Sequence, residues 1–169
     1  MAATEMPSVV CDAGPLIHLD ELRCLDLMSS LGTLLIPQEV WEEEFIHRQK
    51  LRLEEISHAR IVKDRPTPSV QLQSLSASLA LDTGERAAIA LMESLSAKLL
   101  LCDDAAARLA AESLGFSVRG SIGILVRSIR TGERTREQVI SLLRDLPQKS
   151  SLHISRQLLE TVISNIVRI

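Results

Sequence analysis

Aromatic side chains are nearly missing from this chain: Trp41, Phe45 and Phe116 are all it has, and there is no tyrosine. Modules that hold single strands by stacking bases on aromatic platforms need more, which argues against an RRM- or OB-type binder. Cysteine is scarce too. Cys11, Cys24 and Cys102 form no CxxC or Cys/His cluster, so a zinc site is not expected. An odd count without pattern suits a reducing compartment. No apolar run approaches the roughly 18 residues of a spanning helix. The opening stretch MAATEMPSVV lacks the basic region and long apolar run of a signal peptide. The expected location is the cytoplasm, with no membrane partner. Glycine-rich nucleotide loops of the GxGxxG or GxxxxGK type are absent, as are internal repeats. The net charge of −3 does not advertise nucleic-acid binding, although a local basic surface can still provide it.

What is present is an ordinary globular composition, 46% apolar and 24% charged over 169 residues, enough for one core. A single domain over 1–169 is expected, with 135–169 as its C-terminal helical extension. Short apolar runs alternate with helical patterns. Ser8 to Cys11 is a strand candidate ending at Asp12, and Pro15 suits the first turn of the helix that follows. Leu34 to Ile36 is a second strand, closed by Pro37, which opens a helix containing Glu39, Glu42, Glu43 and Glu44. Further helix is expected around 51–59 and a short strand at Ile61-Val62. The proline-bearing loop DRPTPS follows.

A weak helix spans 70–79, and a strong one runs from Asp82-Thr83-Gly84-Glu85 through Ala97. Lys98 to Cys102 reads as a buried strand, ending in Asp103 and Asp104 before an alanine-rich helix that stops at Gly115. Ser121 is expected to cap the next helix. Thr135-x-x-Gln138 forms a capping box for a helix to Leu146. Pro147 to Ser151 is a linker, and Ser155 caps a final amphipathic helix. This alternation predicts a three-layer α/β/α sandwich with a central parallel sheet.

Each acidic cluster has a structural explanation. Asp12 can make an Asx turn, the glutamates after Pro37 suit a helix N-terminus, and Asp82-x-x-Glu85 fits a capping box. Either Asp103 or Asp104 can cap the helix after them. Jointly they suggest more. Asp12 and Asp103/Asp104 end strands that can be neighbours, and Glu43 and Glu85 begin helices whose ends can face the same edge. Convergent carboxylates repel unless a cation or a shared proton neutralises them. Without histidine or cysteine nearby the donor set is all oxygen, which selects Mg²⁺ or Mn²⁺ and suits phosphate chemistry. Arg119, Arg127, Arg130, Arg134 and Arg136 crowd the C-terminal third and can supply phosphate contacts, or simply form a solvated helix face.

Several stretches together resemble the PIN-domain family, and most closely its prokaryotic VapC-like branch. They are Asp12-Ala-Gly-Pro-Leu-Ile, Pro37-x-x-Val40-x-x-Glu43, Asp82-x-Gly84-Glu85 with Ala88-Ile89-Ala90, Leu99 to Asp104 with Arg108, and Gly120-Ser121-Ile122-Gly123-Ile124-Leu125. The resemblance implies an α/β/α fold and a metal-dependent endoribonuclease acting on RNA. It matches Asp12, Glu43, Glu85 and Asp104 to the family's four acids. Asp12 and Asp104 are then the expected direct metal ligands, Asp103 is the competitor of Asp104, and Glu85 and Glu43 bind directly or through water. It further implies a homodimer and, for a toxin, an antitoxin partner. Two departures stand out: the third acid is Glu85 where Asp is frequent, and Cys102 stands where many members carry Ser or Thr. The rival readings are a catalytically silent PIN-like module that binds a protein partner and, more weakly, a receiver- or phosphatase-like domain.

Overall fold

A computed structural model describes residues 6–45, 51 and 53–168, excluding the side chains of 43–45. Five strands, β1 (Ser8–Cys11), β2 (Thr33–Pro37), β3 (Ala59–Val62), β4 (Leu99–Leu101) and β5 (Ser117–Arg119), form one sheet in the order β3-β2-β1-β4-β5. Every pairing is parallel. Parallel neighbours need crossovers, and helices α1 (Ala13–Glu21), α2 (Gln38–Phe45), α3 (Val70–Leu79), α4 (Thr83–Leu95) and α5 (Ala105–Ser113) supply them, while α6 (Ser121–Arg130), α7 (Arg136–Lys149) and α8 (Arg156–Arg168) follow the last strand.

Strand periodicity divides the core into two layers. Val9 and Cys11 face one apolar cluster, with Leu16 and Leu19 of α1, Ile124 and Leu125 of α6, and Val139, Leu143 and Leu146 of α7. Val10 faces the other, with Ile89 of α4 and Ala107, Ala110 and Ala111 of α5. The expected three-layer sandwich with a central parallel sheet is therefore present. Leu159 and Ile166 of α8 are buried in the first cluster, so the last helices pack on the sheet's own core.

Several boundaries differ from expectation. Pro37 is the last residue of β2, and α2 starts one residue later. Pro lacks only a donor, which the end of a strand can spare. Where a helix is expected around 51–59, the described residues hold a short 3-10 turn, Leu53–Glu55, and β3 already begins at Ala59; residues 46–50 and 52 lie outside the described residues. The helix expected to stop at Leu146 carries Pro147 inside it and continues to Lys149. A Lys149–Asp145 pair at 2.7 Å and the Ser150 amide on the Leu146 carbonyl at 2.9 Å hold that last turn. Gly115, with φ +87°, ends α5 in the left-handed conformation that glycine adopts without a Cβ clash. Among the described residues no helix is long and apolar enough to cross a membrane.

The topology positions the site. From β1 the chain winds outward to β2 and β3, then returns across to β4 and β5 on the other flank. The direction reverses between β1 and β4, and ligands of open α/β sheets bind at such a switch point, beyond the strands' carboxyl ends. Cys11 pairs with Leu101, and the Asp12 amide donates to the Leu101 carbonyl at 2.9 Å. The acids that follow the two strands therefore share one edge.

Candidate active site

Asp12 follows β1 at the N-cap position of α1 with an extended backbone, yet its side chain caps nothing. The residue is 8% exposed. The Cys102 thiol donates to its Oδ2 over 3.6 Å, a long contact from a weak donor, made where the resemblance leads one to expect a hydroxyl. Burial pushes the Asp12 carboxyl up to about 6, the charges of Asp82 and Asp104 adding to it against hydrogen bonds from the Ala13 amide and Cys102. A buried carboxylate of this kind is costly to ionise without a compensating positive charge.

Glu85 stands opposite, in the first turn of α4. It closes a capping box with Asp82: the Glu85 amide donates to Asp82 Oδ1 at 2.7 Å, and the Asp82 amide donates to Glu85 Oε2 at 2.9 Å. Burial raises the Glu85 carboxyl to about 7, with the charges of Asp82, Asp104 and Asp12 adding to it against the Asp82 amide. Asp104 is exposed and is the N-cap of α5, its Oδ1 accepting from the Ala106 and Ala107 amides at 2.8 and 2.9 Å. Asp12, Asp82, Glu85 and Asp104 thus form one field of negative charge at the switch point. Glu43 is in α2, but its side chain lies outside the described residues. Among the described residues no three His, Cys, Asp or Glu side chains come close enough to hold one ion.

Asp103 turns the other way, inward between α1 and α6. Its Oδ1 accepts from the Ser121 amide at 2.7 Å, and its Oδ2 from the Ser121 hydroxyl at 2.6 Å, with His18 Nδ1 2.7 Å from the same oxygen. Burial alone would raise its carboxyl; the His18 and Ser121 hydrogen bonds outweigh that and hold it below the usual range. Two glycines make room. A Cβ on Gly120 would lie 2.6 Å from Asp103 Oδ1, and one on Gly14 would lie 3.3 Å from Asp103 Cβ.

One sequence expectation is resolved here and another corrected. Of the two aspartates that could cap α5, Asp104 does so, because its backbone leads directly into the helix, and Asp103 points away from it. Gly120 is the N-cap of α6, whereas Ser121, the expected cap, is spent on Asp103. His18 went unnoticed in the sequence. Its one signal is that Gly14 and His18 lie four apart on one face of α1.

The arginines separate as well. Arg127 donates to the Ser30 hydroxyl at 2.8 Å and pairs with Glu133 at 3.5 Å, while Arg134 grips both oxygens of Asp26 at 2.8 and 2.7 Å. Arg119 is half-buried near Arg127 and Arg130, and burial followed by those like charges lowers its pKa. Arg130 and Arg136 are exposed.

The family model that matches the chain is described as a PIN domain and spans residues 8–167. No curated protein matches it.

Proposed function

The chain belongs to the PIN-domain family, and from that premise we propose that it is a metal-dependent endoribonuclease with Asp12, Glu85 and Asp104 as its described catalytic acids. PIN domains are generally nucleases that depend on divalent metals. The observation that carries the reading is Asp12: a buried carboxylate at a helix N-cap position that caps nothing and sits in the field of Asp82 and Asp104. Capping does not explain it, whereas a bound cation would.

The donors fit a hard ion in chemical type, being carboxylate oxygens throughout. Asp12 and Asp104 would hold Mg²⁺ or Mn²⁺, with Glu85 and Glu43 completing the set directly or through water. Asp103 supports them from behind by fixing the chain just before Asp104. Such an ion, when bound, lowers the pKa of water and polarises the phosphate. The protein's own contribution is to hold the acids at one edge and to offset RNA's charge with nearby arginines, Arg119 and Arg130 being less engaged than Arg127. Incubating the full chain with single-stranded and structured RNA plus Mn²⁺, beside Asp12→Asn, tests the reading. Wild type should cleave and the variant should not; equal cleavage by both would overturn it.

A silent, partner-binding PIN-like module is the second reading, favoured by the engagement of Glu85 and Asp104 in helix caps. Thermal melting separates the two. A specific site at 100-fold excess of Mn²⁺ over its Kd stabilises by about 2.7 kcal/mol, so the catalytic reading expects a higher melting temperature in Mn²⁺ than in EDTA, and the silent module expects none. The VapC-like branch, a toxin role with an antitoxin partner, and homodimerisation rest on the sequence resemblance. For the dimer, the exposed Val167 of α8 offers apolar surface. A cytoplasmic setting agrees with three buried, free cysteines.

A further inference from the structure

On the far side of residues 102–104 from the acids runs a groove of about 610 Å³, a size common among ligand sites. Ile122 of α6 and Ile154 and Leu158 from the start of the last helical segment give it an apolar wall, while Arg108, which also pairs with Glu112 at 4.0 Å, and Arg119 give it a cationic lip. Asp103 is the one acid among its lining residues, and both of its oxygens are already engaged by Ser121 and His18. Arg119 makes no ion pair among the described residues and has Arg127 and Arg130 as like-charged neighbours. Its stem lies across α6 where Gly123 has no side chain; a Cβ there would come 2.9 Å from Arg119 Cγ.

The outer wall is anchored. Glu21 of α1 accepts from the Ser150 hydroxyl at 2.9 Å and the Ser151 amide at 2.7 Å, which fixes the chain entering the groove. Burial would raise the Glu21 carboxyl, but these hydrogen bonds hold it low, as expected of a carboxylate clamping backbone. The groove is therefore preformed.

We infer that this groove is the RNA subsite flanking the scissile bond, with Arg119 on a phosphate and the aliphatic wall under the adjoining sugar and base. The inference rests on the endoribonuclease reading and adds where the strand lies. Residues 102–104 form a wall common to both compartments. The Cys102 thiol meets Asp12 while its carbonyl accepts from Arg108 at 3.2 Å, and Asp103 borders the groove while the charge of Asp104 reaches Asp12 and Glu85. A strand crossing this edge passes from a region that repels phosphate to one that attracts it. The wall is aliphatic and carries few groups able to read base edges, so it sets affinity and register more than sequence choice.

The test is fluorescence anisotropy of the full chain in EDTA, so that no cleavage intervenes, with a labelled single-stranded RNA roughly 12 nucleotides long. Arg119→Ala should weaken binding about tenfold and reduce the salt dependence by about one phosphate contact. Arg119→Lys should recover part of the loss. Leu158 is 53% exposed, so Leu158→Glu should fold normally and also weaken binding about tenfold by setting a like charge against the strand. Unchanged affinity in Arg119→Ala and Leu158→Glu, with unchanged melting, would overturn the inference, as would wild type that fails to bind RNA. Binding of an acidic, leucine-rich peptide in place of RNA, lost in Arg119→Ala, would assign the groove to a protein partner and overturn it equally. RNA binding that depends on Arg119 without any Mn²⁺-dependent cleavage by wild type would uphold the groove and sink the nuclease reading alone.

Discussion

Asp103 and Asp104 are adjacent and chemically identical, and their surroundings assign them opposite work. One is half-buried with both oxygens engaged in hydrogen bonds; the other is exposed and caps a helix. Asp12 is the third case, buried with no positive charge beside it and held only by the Ala13 amide and a long thiol contact. Its folded pKa of about 6 lies above the ordinary 3.8, so the folded state binds the proton more tightly. That contribution to stability is complete below about pH 4 and is lost as pH rises through about 6. Near neutral pH the metal-free protein carries an ionised buried carboxylate that costs on the order of 2–3 kcal/mol. Asp12→Asn should therefore raise the metal-free melting temperature near neutral pH, flatten its decline with pH, and abolish any Mn²⁺ response. Melting curves in EDTA across pH check this. At this scale the sequence disclosed the acids and their residue types. It did not disclose which carboxylate was spent on what, because that depends on the His18 and Ser121 side chains, 85 and 18 positions away.

At the scale of elements, local signals were reliable where the chemistry was local. The Asp82/Glu85 and Thr135/Gln138 capping boxes both form as their spacing requires. Ser121 failed as a predicted cap because a tertiary carboxylate competes for its hydroxyl, leaving Gly120 in the cap position. That glycine is a sharp test of the junction between β5 and α6. Gly120→Ala would place a Cβ 2.6 Å from Asp103 Oδ1 and 3.1 Å from Arg108 Nη1. Displacing that carboxylate should destabilise the fold by about 1–3 kcal/mol, read as a shift of the urea midpoint at constant m-value.

For the whole molecule, the decisive feature is that both faces of one sheet are covered, and α7 belongs to that covering. Leu143 is fully buried in the cluster that contains Val9 and Cys11 of the central strand. Leu143→Ala should cost about 2–5 kcal/mol, and unfolding should stay a single transition for fluorescence at Trp41 and for circular dichroism. Separate transitions would show the last helices to be an independent unit. The sequence by itself determined the alternation of strands and helices, the parallel sheet and the acids at strand ends, because periodicity, caps and short apolar runs are written in neighbouring residues. Only the tertiary structure decided that β1 and β4 lie side by side. It alone turned Asp103 inward, left Asp12 uncapped, and opened a cationic groove behind the acids. Those outcomes depend on which distant side chains compete for the same hydrogen bonds and the same space.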